Sequence, residues 1–312
     1  MPDRKRIFIT TSSFAECSSK PIDLLIENNI DFERNPTGRK LSQEELISYI
    51  SDCDGVIAGT EVYNQEVFAS LDKLRILSRL GVGVDNIDLV SAQIKNIKVT
   101  KCNTSPASSV AELTLSLFLN LSRRIVEMNN SLKEGIWKKK MGSLFSGKNL
   151  GIIGLGQIGK RIVEITQGMN LDYIAYDLVE DKEFAEKFNV KYDSLENLLA
   201  ESNFISINLN SSESNLDLLD ESKFRLMKQK PIIVNTSRGE VINEEALVSA
   251  LENNTISGVG LDVFKEEPYP KSGKLLEFDN VICTPHVGAY SSEIREAMEI
   301  ESVKNLIYGL KE

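Results

Sequence analysis

The sequence predicts an α/β protein with two lobes, each built on a parallel sheet. Three observations carry this. The chain has 312 residues, long for one hydrophobic core. Short apolar runs alternate with helical patterns in two successive series. The second series opens on a glycine motif set between a strand and a helix.

In the first series the runs 6–10, 55–59, 74–78 and 97–100 read as strands. Helical patterns lie around 20–28, 42–50, 64–71 and 87–94. Ser42 with Glu45 three residues on forms a capping-box pattern at the second of these. A long helix is then expected from Pro106 through about residue 135, with Thr104 or Ser105 as its cap. It is apolar around much of its circumference, which suits burial between domains, between subunits or in a plain core. The second series places strands at 149–154, 172–177, 204–208, 231–236, 257–263 and 280–284. Six such runs fit a doubly wound sheet of Rossmann type. The last amphipathic helix, about 291–309, is expected to cross back. The expected division is therefore 1–102 with 287–312 for one domain and 103–286 for the other.

Hydrophobic residues make up 41% and charged residues 26%, the composition of an ordinary globular chain. A net charge of −10 argues against nucleic acid or an anionic membrane as partner. Cys17, Cys53, Cys102 and Cys283 form no CxxC pair, so neither a zinc site nor a disulfide framework is expected. The basic start carries too short an apolar stretch for a signal peptide. A cytoplasmic enzyme with no metal is the expectation.

Gly154-Leu155-Gly156-Gln157-Ile158-Gly159 is a GxGxxG following a strand and opening a helix. Gly154 permits the tight turn and Gly156 the approach of a pyrophosphate. Gly159 allows close packing of helix on strand. Gln157 and Ile158 fall in the first helical turn, whose amides and dipole favour phosphate. Asp177 stands 18 residues beyond Gly159, close to the roughly 20 expected of a ribose-binding carboxylate. No arginine follows to neutralise a 2′-phosphate, so NAD is favoured over NADP. The plainer reading of Asp177 is a surface residue at a strand end.

Three polar residues follow later strand ends: Arg238, Glu267 and His286, the chain's single histidine. The imidazole suits removal of a hydroxyl proton, or its return. Glu267 would orient it and stabilise the imidazolium. Arg238 would hold a substrate carboxylate in a planar fork. Taken singly, each has a blander reading: a surface ion pair, a loop residue before Pro268, a structural imidazole.

With "GLGQIG", "VNTSRGEVINEEAL", "GVGLDVFKEEP" and "NVICTPHVGA" in this order, and "SRLGVGVDNIDL" and "SVAELTLSLFL" before them, the chain resembles the D-isomer-specific 2-hydroxyacid dehydrogenases nearly end to end. The resemblance implies a flavodoxin-like substrate domain and a central NAD domain. It implies catalytic roles for Arg238, Glu267 and His286. Asp262 would meet the nicotinamide carboxamide, with Thr236 and Gly288 beside the cofactor. Val82 and Gly83 would offer amides to the substrate carboxylate. It also implies a homodimer paired through the NAD domain. The likeness leans toward phosphoglycerate dehydrogenases, yet Thr60-Glu61 replaces their Arg-Ser pair, and Glu61 would repel a phosphate. The sequence stops at Glu312, so no appended regulatory domain is expected. Asn208 and Asn210 stand where many relatives have His and Pro. The implied activity is interconversion of a small D-2-hydroxy acid and its 2-oxo acid. The competing implication is an NAD-sensing corepressor, which the same family contains. Formate oxidation ranks lower, because such enzymes carry Gln at the position of Glu267.

Overall fold

The computed structural model describes residues 5–311. The first residues of the basic start lie outside them. The chain divides into two compact units: one runs up to Ser105 and resumes at Tyr290, the other is Pro106–Ala289.

The first unit holds a five-stranded parallel sheet. Its strands are β1 (Arg6–Ile9), β2 (Asp31–Arg34), β3 (Gly55–Ala58), β4 (Ile76–Arg79) and β5 (Lys98–Lys101), in the order β2-β1-β3-β4-β5. This is the flavodoxin-like order, with its switch point between β1 and β3. β1, β3 and most of β4 are buried on both faces, as parallel strands covered by helices must be. β2 is an addition to the expected list. Its sequence, Asp-Phe-Glu-Arg, is polar and mostly exposed, so an edge strand leaves no apolar signature. Ser42 and Glu45 close their capping box in both directions. The last helix, Ser292–Lys311, belongs to this unit. Ser78 Oγ donates to Ser302 O at 2.8 Å, and a Cβ at Gly309 would collide with Ile76.

The second unit holds seven parallel strands: β6 (Asn149–Ile153), β7 (Asp172–Tyr176), β8 (Val190–Tyr192), β9 (Phe204–Ile207), β10 (Ile232–Asn235), β11 (Gly258–Leu261) and β12 (Val281–Cys283). The order is β12-β11-β10-β9-β6-β7-β8. Counted from β6 it is the 3-2-1-4-5-6 order of dinucleotide folds with one further strand. β8, three residues on the edge, was too short to show a pattern.

The long helix needs correction. It is two helices, Ala107–Arg123 and Ile125–Lys133, broken at Arg124, whose φ of 53° is left-handed. Apolar spacing runs on through the break, so periodicity cannot register one left-handed residue. The cap also differs. Pro106 is the N-cap, and the Thr104 hydroxyl instead donates to Glu301. The first helix buries Val110, Leu117, Phe118 and Leu121, whereas the second buries nothing. Among the described residues no helix is long and apolar enough to cross a membrane.

Candidate active site

Two clusters of the expected residues lie along the carboxyl edge of the second unit's sheet. The first surrounds the glycine loop. Gly154 has a φ of 90°, and a Cβ there would sit 2.7 Å from Asn208 O at the end of β9. A Cβ on Gly159 would lie 2.3 Å from Gly154 O, so helix Gln157–Thr166 packs this tightly on β6 only through glycine. Gly156 differs: a Cβ there would meet nothing. It faces open space, and as N-cap it offers no side chain to the first-turn amides of Gln157 and Ile158. That combination, a helix start whose N-cap carries no side chain beside an open approach, fits a dinucleotide pyrophosphate.

Asp177 follows β7 and reaches back to this loop. Its Oδ2 accepts Leu155 N at 2.8 Å and its Oδ1 accepts Val179 N at 3.1 Å. The carboxylate is thus fixed at the lip of the glycine turn, with lone pairs left for ribose hydroxyls. Asn208 and Asn210 are absorbed locally. Asn208 Oδ1 accepts Ser206 Oγ, and Asn210 accepts Asn215 Nδ2.

The second cluster gathers the loops after β10, β11 and β12. Glu267 Oε2 lies 2.9 Å from His286 Nδ1, and Glu267 Oε1 accepts Phe264 N at 3.1 Å. The carboxylate therefore spends one oxygen on its own loop and the other on the imidazole. Nε2 remains for other work. Arg238 follows β10, where Asn235 builds the turn. Asn235 Nδ2 donates to Arg238 O, and its Oδ1 accepts both the amide and the hydroxyl of Ser237. Gly239 brings the Arg238 loop onto the Glu267 loop, since a Cβ there would lie 2.0 Å from Phe264 C.

Asp262 has a role that sequence reasoning missed. It is buried at the end of β11. Oδ1 accepts Thr284 Oγ1 at 2.6 Å and Val287 N at 2.8 Å, while Oδ2 accepts Gly288 N at 2.8 Å. Burial pushes its carboxyl above the ordinary range, against these hydrogen bonds and the nearby His286. His286 itself has a φ of 55°, a costly setting for a non-glycine residue. Asp262 clamps the amides just after it and so holds that conformation. Gly288 spends its amide on this clamp. Thr236 turns its hydroxyl to Thr114 at 3.0 Å on helix Ala107–Arg123. A carboxylate accepting from three groups leaves no periodic signal, though one strand-end Asp before a Thr-x-x-Val-Gly loop was a usable hint. Asp262→Ala should strand two amides and a hydroxyl and cost about 3 kcal/mol of stability, read by urea unfolding. A loss below about 1 kcal/mol would mean the clamp is idle.

In the first unit, Val82 and Gly83 lie in the loop after β4, with Val82 exposed. Glu61 is not the open charge it was expected to be. It is 3% exposed, and its Oε2 accepts Thr10 Oγ1 at 2.6 Å. Thr10 Oγ1 in turn accepts Gly59 N, and Asn86 Nδ2 donates to Gly59 O and Glu61 O. The loops after β1, β3 and β4 are thereby tied together at the switch point.

Comparison with known proteins gives the family. The D-isomer specific 2-hydroxyacid dehydrogenase, NAD binding domain, matches residues 115–288. The chain belongs to that family. It is an NAD-dependent dehydrogenase acting on CH–OH donors. A glyoxylate reductase from Korarchaeum cryptofilum is 33% identical over 97% of this chain and 92% of its own. A D-3-phosphoglycerate dehydrogenase from Methanocaldococcus jannaschii is 39% identical over 86% of this chain, but the match spans 52% of that protein. Among solved structures, D-lactate dehydrogenase from Aquifex aeolicus, complexed with NAD and lactic acid, aligns with a TM-score of 0.79. It is 26% identical and covers 96% of this dehydrogenase and 93% of that chain.

Proposed function

We propose that this dehydrogenase reduces a small, unphosphorylated 2-oxo acid to the D-2-hydroxy acid, and runs the reverse reaction, with His286, Glu267 and Arg238 as its catalytic group. The observation that carries this reading is the His286–Glu267 pair at 2.9 Å, on the strand edge that also carries the glycine loop. NAD, when bound, supplies the hydride acceptor or donor. Gly154, Gly156, Gln157, Ile158, Gly159 and Asp177 would hold its pyrophosphate and ribose, with Thr236, Asp262 and Gly288 nearer the nicotinamide. His286 Nε2 takes the proton of the substrate hydroxyl, or returns it to the carbonyl oxygen. Glu267 keeps the ring oriented through Nδ1 and stabilises the imidazolium. Arg238 forks onto the substrate carboxylate and draws charge onto the carbonyl oxygen. Val82 and Gly83 add amides to the carboxylate.

The glyoxylate reductase and lactate-bound relatives support small substrates. The test is NADH consumption with glyoxylate, pyruvate, hydroxypyruvate, phosphohydroxypyruvate and 2-oxoglutarate. Turnover of a small neutral-tailed acid is expected. Phosphohydroxypyruvate as the best substrate would refute the unphosphorylated class, and no turnover at all would refute the catalytic reading.

The helix Ile125–Lys133 and the segment after it support a homodimer through the second unit. Trp137 is 83% exposed and Met141 90%, with Ile125, Leu132, Ile136 and Leu144 also bare. So many exposed apolar side chains within one stretch of chain support an interface there. Trp137→Glu with Met141→Glu should shift the protein toward monomer in light scattering. An unchanged mass would place the interface elsewhere.

A further inference from the structure

Beside Asp177, the proposed ribose carboxylate, stand a second carboxylate and a lysine. Asp181 lies four residues beyond Asp177 and is the N-cap of helix Lys182–Phe188. Three contacts fix it. Its Oδ1 accepts Phe184 N at 3.0 Å, its amide donates to the Tyr192 hydroxyl at 2.9 Å, and its Oδ2 takes Lys160 Nζ at 2.5 Å. Lys160 directly follows Gly159 in the helix that the glycine loop opens. Its ammonium also sits over the Phe184 ring, 5.3 Å from the centroid. The Tyr192 phenol, at the end of β8 and pushed up by burial, feels the charges of Asp177, Asp181 and Lys160 together. These groups therefore form one cluster beside the glycine turn.

We propose that Asp181 is a positioning residue for cofactor choice: by holding Lys160 it denies a 2′-phosphate the cation of this cluster, so the phosphorylated dinucleotide is refused twice. Asp177 repels that phosphate directly. A lysine released into the same cluster would counter the repulsion with a charge-assisted hydrogen bond. A 2′-phosphate carries close to two negative charges, much like a phosphorylated side chain. The tethered Asp181 competes for Lys160 ahead of any ligand. With Asp177 and Asp181 both ionised against one lysine, the cluster is net negative. Losing the Asp181 charge makes it neutral.

This rests on Asp177 as the ribose carboxylate. The experiment is isothermal titration of Asp181→Asn with NAD and with NADP, beside NADH- and NADPH-dependent turnover. Asparagine is as good an N-cap as aspartate, so the helix start survives. NADP affinity should rise about tenfold or more, while NAD affinity stays within about threefold. Adding Lys160→Met to Asp181→Asn should remove the gain. A merely structural role for Asp181 would lower the melting temperature and weaken both dinucleotides alike. The proposal is overturned if Asp181→Asn leaves the NADP-to-NAD ratio within about twofold of the parent, or if the gain survives loss of Lys160. Asp177→Ala separates the two readings. If it leaves NAD binding unchanged, the ribose assignment itself fails. If it weakens NAD while Asp181→Asn changes nothing, only the role of Asp181 fails.

Discussion

Replacing His286 by Ala should lower kcat by about two to four orders of magnitude while NADH still binds. The geometry explains the size. Nδ1 is engaged by Glu267 at 2.9 Å, so the ring is already aimed and its tautomer constrained before substrate arrives. Alanine removes the proposed proton acceptor but leaves the proposed cofactor site, because the glycine loop and Asp177 are built on β6 and β7. His286 is also the chain's only histidine. Histidine-directed acylation should therefore inactivate at one equivalent per chain, with bound substrate protecting. Glu267→Gln should fall between alanine and the parent, because glutamine can still hydrogen-bond the ring but cannot stabilise its cation. Near-normal turnover of His286→Ala would remove the imidazole from the mechanism.

Arg238→Met should cut kcat/KM by about two to three orders of magnitude, the usual cost of losing a donor aimed at developing negative charge. The loop is prepared to present this side chain. Asn235 ties down the backbone at Ser237 and Arg238, and Gly239 lets the turn pack against Phe264. Arg238→Lys keeps the charge but loses the planar fork. It should raise KM more than it lowers kcat, because positioning of the substrate carboxylate suffers first. Steady-state kinetics on the preferred acid would show the split. A lysine variant matching the parent in both constants would mean that point charge suffices and the fork is idle.

Much of this was legible along the chain because parallel strands buried on both faces announce themselves. β1, β3, β9 and β10 are short, mostly apolar runs buried along nearly their whole length. β2 and β8 escaped notice because edge strands need no apolar face. The break at Arg124 escaped because a single left-handed residue leaves the helical period on either side intact.

The sequence alone determined the fold class, the family, and the glycine loop with Asp177 a fixed distance beyond it, since each depends on local residue types at fixed spacing. It also named Arg238, Glu267 and His286 as one group, but only the tertiary structure showed which atoms meet. That Glu267 grips Nδ1 and not Nε2, and that Asp262 clamps the loop behind a strained His286, are facts of side-chain direction. Glu61 turning inward to Thr10, and Asp181 capturing Lys160, are of the same kind. Such contacts join residues 19 to 51 positions apart. They exist only once the sheet has brought its strand ends together.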